Sequence, residues 1–265
     1  MNNIVTTNNS TPSLRTFTDR ITSKEMQEYL SKTLNSKKDI FTTNLISVVS
    51  NNKNLQTCKF ETLLFGAMRA TTFNFPLDSN LGFAYLIPYG NEAQLQIGYK
   101  GYIQLAIRTG RYNTINVSDI REGELIHRNL LTGKMEFAEI ENREKKPIIG
   151  YVSYFELHDG YNKCLYMSVE ELQKYGERYS KTYKNSQSIW RTDPDSMSKK
   201  TVLKRLLKNF GVLSIEMREA IEADQAVFDS KDMKPNYVDN TTDIIEDIQA
   251  EIIEEQGAKK ISIEM

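Results

Sequence analysis

The sequence predicts an α+β fold with helices first, antiparallel strands in the middle and helices again before the C-terminus. Three observations carry this. Apolar residues recur every three or four positions up to about Phe73, alternate with period two from Leu81, and return to the helical period after Ser168. A chain of 265 residues, 39% hydrophobic and 26% charged, can bury one sizeable core or two small ones.

The first dozen residues, rich in Asn and Thr, read as part of a flexible arm over residues 1–21. Thr22-Ser23-Lys24-Glu25 fits a capping box, in which a hydroxyl and a carboxylate three residues apart satisfy backbone donors, and opens a helix to about Leu34. Helical spacing follows over 38–49, through Ile40, Phe41, Leu45, Val48 and Val49, and again over 60–73. Residues 82–88 and 92–98 flank Tyr89-Gly90-Asn91 as a hairpin, and the second strand sets Gln94 and Gln96 on one amide-bearing face. Residues 99–109 form a helix closed by Gly110. Val117 marks a strand, and 121–146 reads as charged and irregular. Residues 148–158 and 161–167, joined by Asp159-Gly160, form a second hairpin, because Asp-Gly supplies the positive backbone angles of a tight turn. Ser168 caps a helix over 169–179, and a polar loop then holds the only tryptophan, Trp190. Asp193-Pro194, a cap followed by a first-turn proline, opens a basic helix to Phe210 that ends at Gly211. Ser214 caps a helix to about Phe228. The core is thus expected over 22–228.

Residues 229–265 carry ten acidic side chains against four lysines, leaving thirty basic against twenty-five acidic in the rest. A mildly basic body with an acidic, disordered tail suits a polyanion-binding protein with an appendage for other contacts. Within that tail Ile244, Ile245, Ile248 and Ile252 share one helical arc, which fits either a solvating tail or a docking segment. No apolar run approaches a membrane span, and the first thirteen residues lack a signal peptide's basic and apolar regions, so the cytosol is the default expectation. Two cysteines 106 positions apart give no disulfide framework or metal pair. Two histidines, His127 and His158, and the lack of a phosphate-binding loop, a dinucleotide turn or a nucleophile elbow remove the usual enzymatic signatures. Glu136, Glu139, Glu141 and Lys145 could assemble a magnesium nuclease, the minor alternative; acids in a charged loop are ordinarily solvated. No cofactor is expected.

Two helices are informative. In the first, Lys100, Gln104 and Arg108 fall four apart opposite an arc of Tyr99, Tyr102, Ile103, Ala106 and Ile107. In the second, Lys200, Lys204, Arg205 and Lys208 lie across from Val202, Leu203, Leu206, Leu207 and Phe210. Lys199 sits at the angle of the apolar arc itself, where an ammonium needs a carboxylate, a route to water or a bound phosphate. Tyr99, Tyr102, Tyr112, Tyr183 and Trp190 interleave with these cations, the composition that single-stranded nucleic acid requires of a stacking surface on a charged track. A module reading duplex DNA with a helix in the major groove would also use a basic helix.

Residues 81–89, Leu-Gly-Phe-Ala-Tyr-Leu-Ile-Pro-Tyr, with 94–106, resemble the central motif of the RecT family of phage and prophage recombination proteins. Residues 196–204, Ser-Met-Ser-Lys-Lys-Thr-Val-Leu-Lys, and 213–217 resemble that family's second block, so the likeness runs in order over roughly 60–224. It implies an annealing-protein core, a β-hairpin and a small antiparallel sheet packed on a central helix. It also implies a non-enzymatic protein that coats single-stranded DNA as a homo-oligomeric ring or filament and pairs complementary strands without ATP in a bacterial cytoplasm. The implied partners are single-stranded DNA, an annealed duplex intermediate, a co-encoded exonuclease and the host single-strand binding protein. On this reading Lys100, Arg108, Arg111, Lys199, Lys200, Lys204 and Arg205 contact phosphates, Gln94, Gln96 and Tyr99 line the hairpin side of a groove, Trp190 adds a ring, and the N-terminal helices join neighbouring subunits.

Overall fold

A computed structural model describes residues 14–238. In chain order its elements are α1 (Leu14–Ile21), α2 (Lys24–Leu34), α3 (Lys38–Ser50), α4 (Phe60–Thr72), β1 (Ala84–Tyr89), β2 (Glu92–Ile97) and α5 (Tyr99–Arg108). There follow β3 (Tyr112–Arg121), β4 (Leu125–Arg128), β5 (Met135–Phe137), β6 (Ile148–Leu157), β7 (Asn162–Ser168), α6 (Val169–Tyr179), α7 (Ile189–Thr192), α8 (Pro194–Phe210), α9 (Ile215–Ala223) and β8 (Ala226–Val227). The mixed α and β class is as expected. The described chain divides into two units, 14–97 with 222–236, and 98–221 with 237–238.

In the first unit, helix begins inside the expected arm. Phe17 and Ile21 of α1, four apart on one face, are buried, and Phe17 packs 5.5 Å from the Phe60 ring. Arg20 adds an ion pair with Glu61 and lies 4.1 Å over the same ring. The cap of α2 is Ser23, whose hydroxyl accepts from the Met26 N–H, one residue later than the expected box; the Thr22 hydroxyl donates back to the Thr18 carbonyl at 2.8 Å. The β1–β2 hairpin turns at Gly90, which adopts φ +59°. Its second strand is central, since β8 pairs along the far edge with Gln94 opposite Val227 and Leu95 opposite Ala226. The helix expected to run to Phe228 ends at Ala223 instead. There the Asp224 carboxylate accepts from the Ile97 N–H at 2.9 Å, and Gln225, at φ +66°, turns the chain into β8.

The second unit is an antiparallel sheet, β3-β6-β7, with α8 packed across it and against α5 and α7. Tyr151, Met167, Leu172 and Val202 form a buried cluster, and the buried Ser153 hydroxyl donates to the Val202 carbonyl at 3.0 Å. The ends of α8 are where its sequence places them. Asp193 accepts from the Ser196 N–H at 3.1 Å, ahead of Pro194. At the other end a Cβ on Gly211 would come within 2.6 Å of the Leu207 carbonyl and 2.7 Å of the Tyr112 hydroxyl, which accepts from the Val212 N–H. The Asp159-Gly160 hairpin and the Ser168 cap of α6 form as expected, the cap completed as a capping box by Glu171.

Residues 121–146, expected to be irregular, contain the short hairpin of β4 and β5. Strands of four and three mostly exposed residues leave little alternation to detect. Its base is held by charge: Asp119 pairs with Arg121 at 2.8 Å and Arg143 at 3.3 Å, and Arg143 also pairs with Glu124. Burial alone would raise the Asp119 carboxyl, but the Arg121 hydrogen bond and the Arg143 charge outweigh it and hold the group below its ordinary value. Of the acidic tail, Asn236 bridges to Val227; residues 1–13 and the apolar arc over 243–255 lie outside the described residues.

Two outcomes follow. Removing the cap with Asp193→Ala should lower stability in urea unfolding by about 1 kcal/mol. The Asp119 contribution is present in full above the unfolded carboxyl value, about pH 3.9, and is lost as pH falls through the lower folded value. Asp119→Asn should therefore be less stable at neutral pH and show a flatter acid unfolding limb by circular dichroism.

Candidate nucleic-acid interface

The two basic stripes belong to the same unit, and the helices that carry them, α5 and α8, pack together. On α5 and just beyond it, Lys100, Arg108 and Arg111 are exposed and Tyr99 is half-buried. On α8 only Arg205 is fully exposed among the expected cations; Lys204 is half-buried and Lys200 is buried. That corrects the expectation that Lys200 lies on an open face. A helical wheel assumes one packed side, whereas α8 is contacted by α5, α7, β3, β6 and β7.

Lys199 is half-buried, and its ammonium lies 2.7 Å from the Asp195 carboxylate one turn earlier. The same carboxylate faces the buried Tyr151 hydroxyl, which also bonds Ser198. Burial first, and the Asp195 charge second, push the Tyr151 phenol up to about 12. Lys199 therefore carries its own counter-ion, the structural alternative to a bound phosphate.

The glutamines do not face an open groove. Gln94 and Gln96 are buried in the first unit, where the Gln94 amide donates to the Gln225 carbonyl at 2.7 Å. The chain that returns as β8 pairs along the β2 edge beside Gln94.

Sequence reasoning missed a group of rings and guanidiniums built by α6, α7 and the loop between them. Tyr175 lies 4.6 Å from Tyr179 and 6.4 Å from Trp190, and Trp190 lies 5.9 Å from Tyr183. Three exposed arginines stack on these tyrosines: Arg191 over Tyr183 at 4.7 Å, Arg178 over Tyr179 at 5.2 Å, and Arg205 of α8 over Tyr175 at 5.6 Å. The Arg191 Nε also donates to the Tyr183 carbonyl at 3.2 Å. A ring beneath a guanidinium restrains the side chain, so it has less freedom to lose on meeting a phosphate. The available signal was Gly176, a glycine in a helix interior. A Cβ there would stand 2.6 Å from the Tyr183 ring and 3.1 Å from the Trp190 ring.

Glu136, Glu139, Glu141 and Lys145 are exposed, and among the described residues no group of three or more His, Cys, Asp or Glu side chains converges as a metal site. No helix among them is long and apolar enough to cross a membrane.

By chemistry, then, this is a mixed α/β protein whose second unit presents ring-backed cations suited to a polyanion. The chain belongs to the RecT family, whose profile matches residues 39–239, a family of DNA-annealing proteins. It is similar to the uncharacterised protein YqaK of Bacillus subtilis, 41% identical over 198 residues, which cover 75% of this chain and 66% of that one. It is also similar to Protein RecT of Escherichia coli, 33% identical over 156 residues, which cover 56% of each. The matched part thus spans under two thirds of either relative.

The ring group has its own reporter in Trp190. Ala normally gains about 1 kcal/mol over Gly inside a helix, but Gly176→Ala should instead destabilise the protein by about 1–3 kcal/mol because the added methyl overpacks two rings. Tryptophan emission should shift with it, and urea melts followed by fluorescence read both effects.

Proposed function

We propose that this chain binds single-stranded DNA through the second unit and anneals complementary strands in homologous recombination, without ATP, as an array of subunits. The observation that carries the reading is the trio Arg178, Arg191 and Arg205, each exposed and set over a tyrosine ring, on α6, α7 and the basic helix α8 of a RecT-family chain. Lys100, Arg108 and Arg111 extend the cationic track, and Lys204 contributes from its half-buried position. Neutralising phosphates removes the repulsion between two strands, and a row of subunits holds one strand extended so that short matches are sampled and correct ones zipper. The acidic tail is the candidate contact for a co-encoded exonuclease or a host single-strand binding protein, and the bacterial cytoplasm is the setting.

A duplex-reading module predicts sequence-specific sites, whereas annealing predicts assembly that grows with strand length and ignores sequence. Random single strands of increasing length, run as one binding series, separate the two. For single strands the logarithm of affinity falls with the logarithm of salt by about 0.7 for each phosphate neutralised. Replacing Arg178, Arg191 and Arg205 together by Ala should take about 2 off that slope and slow strand pairing. An unchanged slope in a folded variant, measured by fluorescence anisotropy, refutes the assignment.

A further inference from the structure

The outer end of the β4–β5 hairpin leaves apolar side chains uncovered. Leu131 is 98% exposed and Leu130 77%, and Ile126 and Phe137 of the same arm are also open to solvent. Isolated exposed leucines are ordinary, but four large apolar side chains on one short arm mark a contact surface. The turn that carries the leucines is well tied. The Asn129 side-chain oxygen accepts from the Leu131 and Thr132 N–H groups at 3.0 Å, the Gly133 N–H donates to the Asn129 carbonyl, and the Asn129 N–H donates to the Lys134 carbonyl. The arm is fixed along its length, at the root by the Asp119, Arg121, Glu124 and Arg143 charges and, just before the leucine turn, against β7 by Met135 sulfur 3.8 Å from Cys164 sulfur and by Arg128 5.5 Å over the Tyr166 ring. Two adjacent leucines are held out on a braced arm, which has the form of a plug.

The first unit holds a socket. A cavity of about 280 Å³ opens between α3 and α4, lined by Ile40, Phe41, Leu45, Ala67, Phe75 and Leu77, with Ile40 67% exposed at its rim. Its volume is that of roughly nine waters at about 30 Å³ each, room for two branched four-carbon side chains. Through Asn44, Pro76 and Leu77, which line both, it continues into a more polar cleft that reaches the exposed Asp78. Lys134, at the end of the leucine turn, is exposed and carries the opposite charge.

We propose that the Leu130–Leu131 tip of one chain seats in the α3–α4 cavity of a second copy, with Lys134 toward Asp78. Plug and socket are different parts of the chain, so each chain offers one tip and accepts one, and copies that add head to tail through this contact form a ring or a helical array. The inference deepens the annealing reading by naming the contact between neighbours along the strand, and it is independent of which residues hold the DNA.

The test uses the full chain with random single strands, long and short, followed by sedimentation velocity. Leu130→Asp with Leu131→Asp, or Ile40→Asp alone, alters only exposed side chains and should weaken assembly on long strands by about tenfold or more, with binding to oligonucleotides that occupy one chain unchanged. Mixed together, the tip variant and the socket variant each retain one intact half and should form a heterodimer that grows no further. Assembly that survives both variants, a mixture that fails to pair, or loss of short-strand binding in the tip variant, which would put the leucines on DNA, overturns the proposal. A wild-type chain that assembles and responds to these variants but does not pair complementary strands leaves the contact standing and removes the annealing reading instead.

Discussion

The second unit depends on one constraint, that α8 is a cation-bearing helix packed by other elements around most of its circumference. Its apolar residues Val202, Leu203, Leu206 and Leu207 are buried, and so are Met197, Thr201 and Lys200. A helix in that position can keep basic residues only where their charge is answered or can reach water. Lys199 is answered by Asp195, whose charge adds to burial in pushing the Tyr151 phenol up. Arg205 reaches solvent past the Tyr175 ring. The helix is therefore a strut whose charges sort into structural and outward-facing ones, and only the second kind is available to a ligand.

That sorting explains why the arginines matter more to the proposed interface than the lysines. A lysine offers a point charge on a flexible stem, and a phosphate contact must order that stem. An arginine already set over a ring is partly restrained, and a guanidinium's planar fork can match two phosphate oxygens at once. Tyr175, Tyr179 and Tyr183 supply those rings from one helix and the loop after it, and Gly176 lets Tyr183 and Trp190 close on the helix. The packing of four aromatic residues and the presentation of three charges are one structural feature.

Much of the fold was legible because its signals are local. Ser168, Asp193 and Pro194, Gly90 and Gly160 fix ends and turns through bonds or backbone angles within a few residues, and each acts where the sequence places it. What failed was whatever depended on distant chain. Gln94 read as open because its partner is distant in sequence: the Gln225 carbonyl, 131 positions later, accepts its amide. Lys200 read as exposed because a wheel knows one packing direction. The arm at 121–146 read as irregular because its strands are too short and too exposed to alternate, although the charges at its root, Asp119, Arg121, Glu124 and Arg143, were all visible in the sequence.

The ring arrangement also bears on how a strand could be held and yet remain readable. The expectation from composition was that rings stack on bases, as in many single-strand binding proteins. Here Tyr175, Tyr179 and Tyr183 each have a face occupied by a guanidinium, and Trp190 packs against Tyr175 and Tyr183. On the proposed reading, rings so engaged act on a strand through charge, by holding cations for its backbone. A strand gripped by its phosphates keeps its Watson–Crick edges turned to a partner, and the grip is blind to sequence because every nucleotide carries the same charge. Stacking each base on a ring would add affinity of about 1–3 kcal/mol per base, and every bit of it would have to be undone before that base could pair. For a protein that anneals, a surface that stacks its own arginines and leaves the bases alone is the arrangement with the lower barrier.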